Sequence, residues 1–380
     1  MKIFRDKAVL SPHYVPETLL HREEEIKKIS KILSPLGENV KPRNLFIYGK
    51  TGTGKTCTIK SLIGKFDGNS KFFYMNCKMY ATQFRVMEKL IKELHPSIDT
   101  SGKGLSFLFE KMLEWCGSQK KNLVIVLDEI DAVRDLDDLI YMLTRSNDEL
   151  KGGSVTIIGI SNKLTLKDRL GARSRSTLYE DELHFPPYNS KQLHSILKQR
   201  AQLGLNENSY EDGALHLAAA AAAQETGDAR YALNLLEKAG KLAEERNEKI
   251  SENHVEMARR LVDEDIVVNA ICSLPDHSQL VLYALAHLTN TGSRYPKLDG
   301  ADAREFFLSG ELFEQYNSSA RKFRKEARSA RWFRDSLNEL ENLGLITMIE
   351  SGKGQRGRTR LIRIAYPAEK VLKIVELGFS

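Results

Sequence analysis

Four cysteines, Cys57, Cys77, Cys116 and Cys272, are all that 380 residues contain, and no two of them have C-x-x-C spacing. That scarcity argues against a zinc site and against a disulfide framework. The four are expected as small buried apolar residues. Equally missing is any apolar run approaching the roughly 20 residues needed to cross a bilayer. The stretch Met1 to Leu10 carries three basic residues and no long apolar core, so it does not read as a secretory signal, and a cytoplasmic protein is expected. Compositional extremes are lacking too: 41% hydrophobic and 28% charged residues exclude a disordered tail or a fibre. What remains is a globular chain long enough for two or three domains of about 100–200 residues each.

The net charge is only +6, but it is unevenly spread. From Arg321 to Arg363 there are twelve Lys/Arg against five Asp/Glu, a surplus of seven, so the rest of the chain carries −1. A basic block in a balanced chain is the electrostatic footprint of nucleic-acid binding, although a solvated surface face has the same composition.

Apolar runs at Asn44 to Tyr48, Phe72 to Asn76, Asn122 to Leu127 and Ser154 to Ile160 predict strands of a parallel sheet covered on both faces. Helical patterns between them, at Gln83 to Leu94 and Leu105 to Trp115, complete an α/β alternation. After Pro186-Pro187 only helical periodicity follows, to about Asp265, and the run Ala218 to Ala223 reads as a buried helix. Further on, Leu280 to Leu288, Ala303 to Tyr316 and Ala327 to Leu343 predict three helices. Two strands, Leu345 to Glu350 and Arg360 to Ala365, follow around a Gly/Lys/Arg-rich turn. The predicted organisation is an α/β base (1–187), a small all-helical lid (188–268) and a winged-helix domain (269–380).

Gly49-Lys50-Thr51-Gly52-Thr53-Gly54-Lys55-Thr56 satisfies G-x-x-x-x-G-K-[ST] directly after a predicted strand. Its glycines let backbone N–H groups turn inward around phosphate oxygens, and the following helix offers its positive end. Lys55 is expected to reach the β and γ phosphates, and the Thr56 hydroxyl to hold Mg²⁺. Independently, Leu123-Val124-Ile125-Val126-Leu127-Asp128-Glu129 is an apolar strand ending in two carboxylates. Asp128 suits the magnesium and Glu129 the polarisation of an attacking water.

A Glu directly after the magnesium Asp resembles AAA+ P-loop ATPases, and that resemblance implies further parts. Asn162 resembles the sensor asparagine that orients the water. Arg173, or failing it Arg175, falls where the family places an arginine finger. Gly227-Asp228-Ala229-Arg230 looks like the second sensor, with Asp228 capping a helix and Arg230 aimed at the γ-phosphate.

In order, these pieces resemble the archaeal origin-recognition and cell-division-cycle initiator ATPases of DNA replication, along nearly the whole chain. Tyr14-Val15-Pro16 and His21-Arg22-Glu23 look like the family's adenine-side segment, and Thr82 to Val86 opens what looks like its helical insertion. Tyr188 and Arg200 match its nucleotide-contacting lid residues. Gly171-Ala172 stands where the family commonly has Asp-Pro before the finger. The resemblance implies ATP/ADP and Mg²⁺ as cofactors. The nucleotide contacts it implies are Val15, Gly52, Thr53, Gly54, Lys55, Thr56, Cys57, Asp128, Tyr188, Arg200 and Arg230. Catalytic roles fall to Glu129, Asn162, Arg173 and Arg230, and metal ligation to Thr56 and Asp128.

At the basic end, Phe333, Leu337 and Leu340 form one apolar stripe of the third helix, leaving Arg331, Arg334 and Asn338 for bases or phosphates. Arg328 and Ser329 sit at the helix start for phosphate contacts, and Lys353, Arg356, Arg358 and Arg360 belong to the wing. Neutralising about six phosphates gives a log-log salt slope near −5. The reading that joins these features is an origin-binding replication initiator. In it ATP and ADP act as a switch, hydrolysis is slow, and the partners are duplex DNA, the replicative helicase and paralogous initiators. A transcription regulator with a nucleotide-sensing domain and a clamp-loader-like remodelling ATPase are the alternatives.

Overall fold

The computed structural model describes residues 2–38, 40–63, 65–66, 70–293, 306–350 and 360–379. The chain forms two compact units, residues 1–258 and 259–380. None of the described helices is long and apolar enough to cross a membrane.

In the first unit, helix α1 (Glu23–Leu33) precedes strand β1 (Leu45–Tyr48), helix α2 (Lys55–Ile63) and strand β2 (Ser70–Asn76). Helices α3 (Gln83–Leu94) and α4 (Leu105–Gln119) lead to β3 (Asn122–Asp128), then α5 (Leu136–Glu149), β4 (Ser154–Ser161), α6 (Ala172–Leu178) and β5 (Asp181–His184). The five strands are all parallel, in the order β2-β3-β4-β1-β5. Strand alternation divides the apolar residues between two cores. Leu123, Ile125 and Leu127 join one with α3, α4 and α5, whereas Val124 and Val126 join the other with Ile29, Ile59 and Leu62. All seven residues of β3 are buried, which is why the run reads as continuously apolar. The short edge strand β5 has no clear signal in the sequence, because Asp-Glu-Leu-His has one apolar residue, Leu183, for its one buried face.

The same unit continues in α7 (Ser190–Gly204), α8 (Asp212–Glu225) and α9 (Ala229–Arg246). Asn189 and Gln192 close a reciprocal capping box on α7. In α8 the alanines Ala218, Ala219, Ala221 and Ala222 are buried, so that small side chains set close helix packing. The N-terminus is sewn onto these helices: Phe4 bridges to Leu205, and its ring fills the space at Gly240 where any Cβ would collide.

Helix α10 (Glu252–Ser273) spans the boundary between the units. The second unit holds α11 (Asp276–Thr291), β6 (Phe307–Leu308), α12 (Ser309–Lys322), α13 (Ala330–Asn342), β7 (Ile346–Glu350), β8 (Arg360–Ile364) and α14 (Ala368–Phe379). Its sheet, in the order β6-β8-β7, is antiparallel. The predicted helix Ala303 to Tyr316 is corrected here: Phe307–Leu308 is a strand pairing with β8, and the helix begins at Ser309. The cysteines divide as well, since Cys77 and Cys116 are buried, Cys57 is partly exposed and Cys272 is exposed.

Candidate nucleotide and nucleic-acid sites

The turn between β1 and α2 holds Gly52 and Gly54 at φ +71° and +91°, conformations L side chains rarely adopt. A Cβ at Gly54 would lie 2.6 Å from the Tyr188 hydroxyl, and one at Gly52 would overlap the Asp228 carboxylate. Glycine is required here so that the base loop and the lid can meet around a ligand.

Lys55 is nearly buried, and its ammonium donates to Gly49 O at 2.8 Å, Lys50 O at 2.7 Å and Asn162 Oδ1 at 2.8 Å. Burial pulls its pKa down to about 8, with the Asp128 carboxylate opposing that shift. The three acceptors are uncharged, so the cation is held but not neutralised. Thr56 Oγ1 and Tyr74 Oη both donate to Asp128 Oδ2 at 2.7 Å, while Asp128 Oδ1 accepts the Glu129 N–H at 2.9 Å. Burial, and then the neighbouring Asp128 charge, push the Tyr74 phenol well up, so it remains a donor. Glu129 occupies the left-handed region at φ +52°, a strained position for a residue other than glycine, and its carboxylate pairs with Lys78 at 3.0 Å.

From the lid, Asp228 accepts the Arg230 N–H at 2.7 Å and caps α9, and the Ala229 N–H donates to Gly52 O at 3.2 Å. One cleft is thereby lined by Gly52, Thr53, Gly54, Lys55, Thr56 and Cys57 of the loop, by Asp128, Glu129 and Asn162, and by Tyr188, Arg200 and Arg230 of the lid side. Its apolar end is made by Pro12, Pro16, Leu19, Leu20, Ile196 and Leu233. Val15, expected at the base, is not one of these wall residues; the neighbouring Pro16 is. Burial raises the Cys57 thiol pKa and pushes the Tyr188 phenol up to about 12, so neither titrates near neutrality. Arg200 is almost wholly buried and donates to Val9 O and Tyr14 O, and its Nε is buried without a hydrogen-bond partner. Arg200 lines the cleft, but its unpaired Nε has no accessible surface, so a ligand atom would reach it only if the side chain shifts.

Arg173 stands apart. It is exposed on α6, in a surface cleft with Lys41, Tyr141, Arg145 and Ser176, and is not among the residues lining the nucleotide cleft. Arg175 donates to Leu170 O. Neither arginine is among the residues that line the nucleotide cleft.

Sequence reasoning placed Arg22 in the segment that resembles the family's adenine side but gave it no contacts. It is 2% exposed, donates to Thr53 O at 2.9 Å and to Pro186 O at 2.7 Å, and lies 4.0 Å over the Tyr188 ring. One guanidinium thus ties the phosphate loop to the entry of the lid, and no motif spacing announces it. Tyr74 was missed; its only signal is β2 alternation beside the strand bearing Asp128.

In the second unit, Phe333, Leu337 and Leu340 are buried and Arg331, Arg334 and Asn338 exposed, as the stripe predicts. Arg360 of β8 donates to Asn338 Oδ1 at 2.8 Å, bringing the wing's base onto the same face as α13. Arg328 keeps its side chain exposed while its N–H bonds the Tyr316 hydroxyl. Ser329 is the N-cap of α13, its hydroxyl oxygen accepting the Trp332 N–H at 3.4 Å, which leaves only its proton for a phosphate. Lys353, Arg356 and Arg358 lie outside the described residues.

Family models agree with this layout: an AAA domain matches residues 39–166, a Cdc6 AAA+ ATPase-type lid domain 194–260, and the CDC6 C-terminal winged helix domain 269–374. The ORC1-type DNA replication protein 1 of Sulfurisphaera tokodaii is 38% identical over 381 residues, covering 98% of this chain and 93% of that protein. That of Archaeoglobus fulgidus is 36% identical over 380 residues, covering 98% and 90%. The chain belongs to the ORC1-type family of DNA replication proteins.

A solved structure of the ORC1 protein of Aeropyrum pernix in complex with DNA superposes with a TM-score of 0.83 at 32% identity, covering 99% of this chain and 97% of that one. The ORC2 protein of the same organism, solved as ADPNP–ADP complexes, shares the fold at a TM-score of 0.63 and 21% identity, with 99% and 98% covered. This ORC1-type chain accordingly has a AAA+ nucleotide-binding domain, a lid and a C-terminal winged helix.

Proposed function

We propose that the chain binds duplex DNA at replication origins, with ATP and ADP in its cleft acting as a switch, and that it helps recruit or load the replicative helicase together with paralogous initiators. The observation that carries this reading is the shared cleft. Lys55 and Asn162 from the base and Arg230 from the lid line it together, so a γ-phosphate would be felt on both sides.

Bound triphosphate would exchange the three neutral acceptors of Lys55 for anionic oxygens. Tyr188 and Arg200 stand on the cleft wall for the nucleoside side. Thr56 and Asp128 offer hard oxygen donors 2.7 Å apart, which fit Mg²⁺; when bound, it would neutralise charge between the β and γ phosphates. Glu129 is the base that orients water, restrained by Lys78, and Asn162 supports it. Arg173 would complete the site of a neighbouring subunit, which makes hydrolysis by a lone chain slow. Arg328, Ser329, Arg331, Arg334, Asn338 and Arg360, with Lys353, Arg356 and Arg358 of the wing, would contact the duplex.

Footprinting over a genomic library tests the reading. Protection concentrated at replication origins supports it; protection confined to promoters would favour a transcription regulator.

A further inference from the structure

We propose that the lid carries a binding site for a divalent transition-metal ion of the zinc type, formed by His194, Asp212 and His216. The proposal stands apart from the nucleotide cleft and from the DNA face and does not depend on either.

Asp212 opens α8 and His216 follows at i+4, so both side chains lie on one face of that helix. His194 comes from the packed α7 and is largely covered, with 15% of its side chain exposed. Its Nε2 lies 3.3 Å from Asp212 Oδ1, and His216 Nε2 lies 3.3 Å from Asp212 Oδ2. A tetrahedral ion with bonds of about 2.0–2.1 Å separates its donor atoms by about 3.3–3.4 Å. Each Nε2 therefore already lies at that separation from one carboxylate oxygen, His194 from Oδ1 and His216 from Oδ2, and all three groups offer a ligand atom within 4.8 Å of the others. Two imidazoles and one carboxylate select a borderline ion such as Zn²⁺ or Co²⁺ over the hard cations Mg²⁺ and Ca²⁺, and leave a position for water.

A simpler arrangement uses the same atoms: each neutral imidazole donates its Nε2–H to one carboxylate oxygen. Metal binding requires each ring to carry its proton on Nδ1, so that Nε2 presents a lone pair. The rings stack in parallel, 3.7 Å between centroids and 8° between planes, and one of them must turn for the lone pairs to converge. His216 has that freedom, being 63% exposed. Lys198, 3.8 Å from Asp212 Oδ1, is the cation an incoming ion would displace, and it too is half exposed. Clamped in this way, α7 and α8 would be joined near their N-terminal turns, stiffening the lid.

The test uses the full chain freed of any affinity tag, titrated with Zn²⁺ against a chromogenic chelator and with Co²⁺ followed by visible absorption. The expected result is one ion per chain, a cobalt spectrum without sulfur-to-metal charge transfer, and about a hundredfold weaker binding in both His216→Ala and Asp212→Asn. Saturating Zn²⁺ should raise the melting temperature of the parent chain and not of His216→Ala. His216→Ala places a better helix former at an exposed position, so the fold is preserved, and an unchanged nucleotide affinity verifies this. Absence of binding, binding that persists in both variants, or a thiolate signature from Cys57 or Cys272 would each overturn the proposal.

Discussion

Thr56 and Asp128, 72 positions apart in sequence, are joined by a hydrogen bond of 2.7 Å from the threonine hydroxyl to carboxylate Oδ2. The phosphate loop and the end of β3 thus meet at two oxygen atoms whose chemistry suits a hard cation. Thr56→Ala and Asp128→Asn should each weaken ATP binding about 10- to 100-fold in the presence of Mg²⁺ and change it little in EDTA. Calorimetric titration in the two buffers reads the difference, and equal losses in both would remove the metal role.

Lys55, with its pKa near 8 in the free protein, makes nucleotide affinity depend on pH. A bound polyphosphate needs the ammonium, so affinity should be flat below about pH 8 and fall roughly tenfold per unit above it, with proton uptake on binding. For stability the sign is opposite. The folded-state pKa lies below the unfolded value of 10.5, so the cost of burying the cation is fully present below about pH 8 and is relieved as pH rises towards 10.5. Fluorescent-nucleotide titrations across this range measure the first effect.

Glu129 is paired with Lys78, whose side chain is 70% exposed. Exposed pairs are worth about 0–1 kcal/mol, so Lys78→Ala should raise basal phosphate release only a few-fold, at unchanged ATP affinity. Glu129→Gln should abolish release and keep binding. A rate unaffected by Lys78→Ala would show that the pair restrains nothing.

Arg22→Ala should lower stability by about 3–5 kcal/mol, because it leaves the carbonyls of Thr53 and Pro186 without their donor and opens the ring of Tyr188. Chemical denaturation measures it, and Arg22→Lys should not restore it, since a lysine lacks the planar group that donates from Nε to Thr53 O and from Nη2 to Pro186 O while lying over the Tyr188 ring.

Arg331→Ala combined with Arg334→Ala should weaken duplex binding and flatten the log-log salt slope by about two, whereas Arg360→Ala alone should flatten it by about one. Fluorescence anisotropy from low to moderate salt gives the slope. An unchanged slope would take α13 out of the interface.

Much of the fold and of the nucleotide cleft is legible in the sequence because local signals agree with tertiary demands. The loop Gly49 to Thr56 and the buried strand ending at Asp128 announce themselves, since phosphate geometry and a doubly covered strand each tolerate few alternatives. The stripe Phe333, Leu337, Leu340 assigns the faces of α13 for the same reason. Contacts between distant segments are not legible. Arg22 works by reaching Thr53 and Pro186, and Phe4 by filling the space beside Gly240; neither pairing leaves a period in the sequence. The strand Phe307–Leu308 reads as helix because two residues are too few to show alternation.

The most direct test is the affinity for duplexes from the organism's own replication origin against scrambled duplexes of equal length, at one fixed salt concentration, with ATP, with ADP and without nucleotide. An origin-binding switch predicts origin binding at least about 10³-fold tighter than scrambled binding, with an affinity that changes between ATP and ADP and loses that change in Lys55→Ala. Equal affinity for both duplexes, indifferent to nucleotide, would contradict it.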